Sequence, residues 1–175
     1  LHQYSNLGLK LLVHESDLPK GKGFSPIQWQ ILKNKKKITF CLIKAEDKLD
    51  SGDIILKDKL YLNGYELNDE IREKQFGLQI SLIEKFLLSY PKYNMKKQTG
   101  TSSIFRKRDL RDSKININEN FKSQFNLLRI VDNERWPAYF SYKKNFYKLK
   151  IYKLMPEEIR KIKIMNKKKI NKNKK

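Results

Sequence analysis

Cysteine and histidine are almost missing from this sequence: Cys41 stands alone, and His2 and His14 are the two imidazoles among 175 residues. One cysteine excludes a disulfide within the chain, and one Cys with two His is too few for a structural zinc cluster, so no metal is expected. Cys41 lies inside Ile38-Thr39-Phe40-Cys41-Leu42-Ile43, where a small buried residue is the ordinary reading. Long apolar runs are missing as well. None approaches the roughly 20 residues that cross a bilayer, and no signal-peptide pattern opens the chain, so the expectation is a soluble, cytoplasmic protein without a membrane span.

Acidic residues are also few, 19 Asp and Glu against 39 Lys and Arg, for a net charge of +20. Most of the excess is Lys scattered among Asn and Ile, densest from Lys161 to Lys175. Such a stretch cannot bury enough apolar surface to order itself, and residues 156–175 are expected to form a basic, disordered tail. A basic module that binds nucleic acid is the alternative that charge keeps open. Hydrophobic residues make up 39% of the chain, enough for one globular body with a small annex.

Against this background two loops stand out. The apolar run Leu9 to Val13 leads into His14-Glu15-Ser16-Asp17-Leu18-Pro19-Lys20-Gly21-Lys22-Gly23, and the strand Ile38 to Lys44 leads towards Asp50-Ser51-Gly52-Asp53. α/β folds place their chemistry in loops that leave buried strands, and an imidazole beside a carboxylate makes a general base. Between the loops, Pro26 opens a helix carrying Ile27, Trp29, Ile31 and Leu32. Ile54 to Leu62 reads as a further strand. Leu67, Ile71, Leu78, Leu82 and Phe86 recur on one helical face up to Pro91. A polar connection from Lys92 to Ser103 follows.

These segments resemble the formyltransferase family that takes a one-carbon unit from 10-formyltetrahydrofolate. Family members carry an Asn-x-His strand end, a Ser-Leu-Leu-Pro loop with a basic, Gly-rich continuation, and an acidic turn. The matching residues are His14, Ser16, Leu18, Pro19, Lys20, Lys22 and Gly23, then Asp50 to Asp53, with Ser25-Pro26-Ile27 and Trp29 in support. Leu12 stands where the family has an Asn whose amide bonds the developing oxyanion. Asp17 replaces the first Leu of the loop, and Phe24 replaces an Arg found in some sugar-modifying relatives. Family members also carry roughly a hundred residues before the catalytic His, and no initiator Met opens this sequence, so a truncated chain is expected.

Downstream, Arg108 to Ser113, Asn126 to Val131 and Trp136-Pro137-Ala138-Tyr139-Phe140 resemble the branch that formylates amino sugars, with Leu110 in place of a Pro. Two strands, Ala138 to Tyr142 and Phe146 to Tyr152, would pair as a hairpin. The resemblance implies an α/β fold: the C-terminal part of a Rossmann-like formyltransferase domain over residues 1–98, and a helix-plus-β-hairpin annex over 99–155. It implies formyl transfer from the co-substrate 10-formyltetrahydrofolate to the amine of a nucleotide-linked amino sugar, with methionyl-tRNA as the alternative acceptor and an inactive fragment as another. His14 would act as base and Asp50 would orient it. Ser16, Asp17, Leu18, Pro19, Lys22, Glu46, Asp47, Lys48 and Leu49 would bind the folate. Assembly into a homo-oligomer is left open.

Overall fold

The computed structural model describes residues 8–172, so His2 lies outside it. Its main sheet has three antiparallel strands in the order β1 (Leu11–His14), β3 (Lys37–Lys44), β4 (Ile54–Tyr61). The register sets His14 opposite Cys41 and Phe40 opposite Asp58. The short strand β2 (Lys22–Gly23) pairs in parallel with β5 (Ile104–Phe105) and ties the first loop to the downstream half of the chain.

β3 is apolar along its length because both of its faces are covered. On one face Ile38 and Phe40 pack with Leu60 and Leu62 against Ile27 and Ile31 of α1 (Pro26–Leu32) and Ile71 and Leu82 of α2 (Asn68–Ser89). On the other, Cys41 and Ile43 hold Leu18. Cys41 is fully buried, as the sequence predicts, and its thiol donates to the Ser16 carbonyl at 3.1 Å. The helix α2 follows the expected spacing on its core face, where Ile71, Leu82 and Phe86 are buried. It is not one-sided, however: Phe76, Ile80, Ile83 and Leu87 are exposed.

A second, smaller core joins α3 (Phe121–Ile130) to the hairpin of β6 (Ala138–Tyr142) and β7 (Asn145–Leu149), through Ile115, Leu128, Val131 and Ala138. The hairpin forms as predicted, but its loop is two residues long: Lys143 and Lys144 both have positive φ, the geometry that suits a tight turn between twisted strands. The two cores are stitched together. Ile130 belongs to the first core although its helix serves the second. One position earlier, Arg129 is 2% exposed and donates to the Glu66 carboxylate at 2.8 Å and to the Glu66 carbonyl at 2.9 Å.

The basic terminal stretch, expected to be disordered, is described as a helix, α4 (Pro156–Lys172). Pro156 opens it, Glu157 and Glu158 occupy the first turn, and the Lys and Met that follow lose little on entering a helix. Residues 156–166 are exposed throughout, so local propensity and not packing carries this element.

Candidate active site

His14 ends β1, and the chain turns at once into a loop that folds back on itself. The Ser16 hydroxyl donates to the Lys20 carbonyl at 2.7 Å, and the Leu18 amide to the Ser16 carbonyl at 3.1 Å. Gly21 and Gly23 have φ of +73° and +94°, and a Cβ at Gly23 would lie 2.4 Å from the Phe105 carbonyl oxygen. The loop therefore closes only with glycine there. It leaves the Gly23 amide pointing at Asp50, to whose Oδ2 it donates at 2.7 Å.

Asp50 arrives from the end of β3 through the 45–49 loop. Gly52 lets the turn approach that strand, since a Cβ there would lie 1.7 Å from the Lys44 carbonyl oxygen. The two sequence-predicted residues meet: His14 Nδ1 stands 3.4 Å from Asp50 Oδ2, with both side chains about 95% buried. His14 Nε2 is 2.8 Å from the Gly21 carbonyl oxygen. A carbonyl only accepts, so the proton of a neutral ring is assigned to Nε2, and Nδ1 is the atom left to take up a proton beside the carboxylate.

The residues proposed from sequence to bind folate are not gathered on one wall. Asp17, Leu18 and Pro19 line a cleft of about 660 Å³ with Ile54 to Lys57 and the 96–101 segment. Glu46, Asp47 and Leu49 line another of about 450 Å³ with Leu12, Ile43 and Asp50. The separation has a simple cause: Leu18 is a core residue on one face of β3, while the 45–49 loop leaves the strand's end beside β1. Asp17 is exposed and paired with Lys57 at 2.6 Å, Lys22 sits in β2, and Lys48 is exposed.

Two arrangements at the site escaped the sequence reading. Glu15 is a half-buried carboxylate beside His14, and its Oε1 accepts from the amides of Gln75 and Gln79, both at 2.9 Å. Burial pushes its pKa up against the opposing pull of the His14 charge and the two amides. The glutamines sit four residues apart on the inner face of α2, and polar residues at that spacing on a core face were the available signal. Near the loop, a small pocket is lined by Phe24, Arg72, Lys107, Arg108 and Trp136. Burial pushes the Arg108 guanidinium pKa down, and its buried Nη1 has no hydrogen-bond partner among the described residues.

No protein-family model matches the sequence. The chain is, however, 31% identical over 142 residues to the methionyl-tRNA formyltransferase of Rickettsia prowazekii, an alignment covering 79% of the chain and 46% of that protein. Its structure superimposes on the methionyl-tRNA formyltransferase from Clostridium thermocellum with a TM-score of 0.70 at 26% identity, covering 83% of this chain and 63% of that one. The chain is thus related to the formyltransferases in sequence and in fold. Two more distant structures share the fold. A sugar N-formyltransferase from Shewanella matches at TM-score 0.67 and 14% identity, over 84% of this chain and 62% of that one. HypX from Aquifex aeolicus in complex with tetrahydrofolic acid matches at 0.66 and 13%, over 82% and 25%. The chain thus spans less than half the length of the Rickettsia relative, and its formyltransferase fold is the mixed α/β one that the motifs predict.

Proposed function

We propose that the chain carries the transfer centre of a cytoplasmic formyltransferase that moves a formyl group from 10-formyltetrahydrofolate to a primary amine. The observation that carries this reading is the buried His14–Asp50 pair, of which Asp50 lines the 450 Å³ cleft. That cleft suits a flat ring rich in hydrogen-bonding groups: Leu12, Ile43 and Leu49 give it apolar wall, and Glu46 and Asp47 offer carboxylates. The co-substrate supplies the activated one-carbon group.

The amine attacks the formyl carbon, a new C–N bond forms, and the bond to the folate nitrogen breaks. The amine must shed a proton as it is acylated. That proton enters from the cleft side, where Asp50 lies, and is taken up by His14 Nδ1 on its way to the departing folate nitrogen, which leaves protonated as tetrahydrofolate. Asp50 then stabilises the imidazolium, while the Gly21 carbonyl holds the ring's other nitrogen. The Gly23 amide fixes Asp50 in place for this role. Leu12 cannot donate a hydrogen bond to the oxyanion, so any donor must come from elsewhere.

The favoured acceptor is methionyl-tRNA, because relatives at 31% and 32% identity carry that name and the chain is strongly basic. The nucleotide-linked amino sugar expected from the downstream motifs is the second reading. The pocket around Arg108 favours it, with aromatic rings at Phe24 and Trp136 beside three cationic side chains. Mass spectrometry of the acylated product decides between the two. The test supplies 10-formyltetrahydrofolate with methionyl-tRNA or with a nucleoside-diphosphate amino sugar, and compares the chain with His14→Ala. Transfer that drops on substitution supports the reading; transfer to neither acceptor, or transfer indifferent to His14, sinks it.

A further inference from the structure

The hairpin of β6 and β7 has one face that the second core does not use. Opposed residues share a face, so Ala138, Phe140 and Leu149 turn inward, while Tyr139, Ser141, Phe146 and Lys148 turn outward. On that outward face the rings of Tyr139 and Phe146 lie 6.4 Å apart, and Phe146 is 74% exposed. An aromatic placed this way in a hairpin does nothing for the core.

Cations surround it. Lys148 stands opposite Tyr139, and Lys143 and Lys144 form the turn beyond Phe146, with the Lys143 ammonium 5.6 Å from the Tyr142 ring. All three are exposed and have no carboxylate partner among the described residues, in contrast to Lys150 and Lys153, which pair with Glu134 and Glu70. The following helix α4 adds Arg160, Lys161 and Lys163, exposed and likewise unpaired. The hairpin also begins two residues after Trp136, which lines the pocket shared with Phe24, next to the glycine that holds Asp50.

We propose that the outward face of this hairpin is a contact surface for single-stranded RNA, with bases stacking on Phe146 and Tyr139 and the phosphate backbone tracking Lys143, Lys144 and Lys148. Exposed rings interleaved with unpaired lysines match the two needs of such a ligand, stacking and charge neutralisation. A lipid surface would also attract the lysines, so anionic vesicles are the competing ligand in the test; base stacking is what the Tyr139 and Phe146 pair offers to RNA. This inference rests on the RNA-borne acceptor of the proposed function.

The test is fluorescence anisotropy of the 175-residue chain with labelled deacylated tRNA and with a 12-nucleotide single-stranded RNA, at 50 to 200 mM salt. No folate or transfer is involved, so its failure is separable from failure of the chemistry. The variants are Phe146→Ala, at an exposed position, and Lys143→Asn with Lys144→Gly, residues that suit the positive φ of the turn. Circular dichroism checks that both fold as the parent does. Phe146→Ala should weaken binding on the order of tenfold. The double variant should lower the slope of log affinity against log salt by about 1 to 2. The proposal is overturned if both variants bind like the parent, if neither RNA binds at 50 mM salt, or if the chain takes up phosphatidylserine vesicles and leaves RNA free.

Discussion

The imidazole of His14 is held at both nitrogens, and that makes its partners as consequential as the ring itself. Replacing Asp50 by Asn keeps an oxygen for the Gly23 amide but removes the charge facing Nδ1. Formyl transfer should fall by about a hundredfold, the low end for losing general-base assistance, with the far-ultraviolet circular dichroism spectrum unchanged. Glu15 makes a prediction of the opposite kind. Burial raises its pKa in the folded chain, so the folded state pays for an ionised Glu15 once pH exceeds the ordinary value of 4.5. Stability is therefore lost as pH rises through the folded pKa. Glu15→Gln keeps the oxygen that Gln75 and Gln79 address and should raise the melting temperature more at pH 8 than at pH 4. An equal shift at both would show that burial is not the cause.

At the scale of elements, the junction between the start of α2 and the end of α3 rests on Glu66 and Arg129. Burial works against the Glu66 charge, but Lys74 and the amides of Asn63 and Gly64 hold its pKa down to about 2. A carboxyl that titrates lower when folded contributes its stability in full above about 4.5 and loses it as pH falls towards about 2. Acid titration of Glu66→Gln should show a shallower loss across that window than the parent. Arg129→Met leaves the buried Glu66 carboxylate without its guanidinium and should cost about 3–5 kcal/mol, a drop of roughly 10 °C in a thermal melt. In the turn after β3, Gly52→Ala must push the chain off the Lys44 carbonyl and so displace Asp50. Transfer should fall more than stability does.

Across the whole molecule, the charge is concentrated where packing is thinnest. Residues 156–175 hold nine of the 39 Lys and Arg, and every described side chain among them is exposed. Deleting this segment should leave the melting temperature within about 1 °C while weakening the salt-dependent part of RNA binding. The larger body depends on long-range ties instead. The pairing of β2 with β5 and the Arg129–Glu66 contact bridge segments about 60 to 80 residues apart.

The motif loops and most elements were legible in the chain because they rest on local chemistry. β3, α2 and the hairpin follow from apolar spacing, and glycine marks the two places where backbones crowd. The pairing of His14 with Asp50 could be inferred from their motifs, but their contact required β1 to lie antiparallel to β3 and the Gly21–Gly23 loop to close. What stayed hidden was set by three-dimensional neighbours: Glu15 against two glutamines, Arg129 under Glu66, and the folate-binding candidates parted into two clefts, one beside a face of β3 and one at its end. Spacing along a chain reports which side of an element a residue takes. Only the packed structure decides what waits on that side.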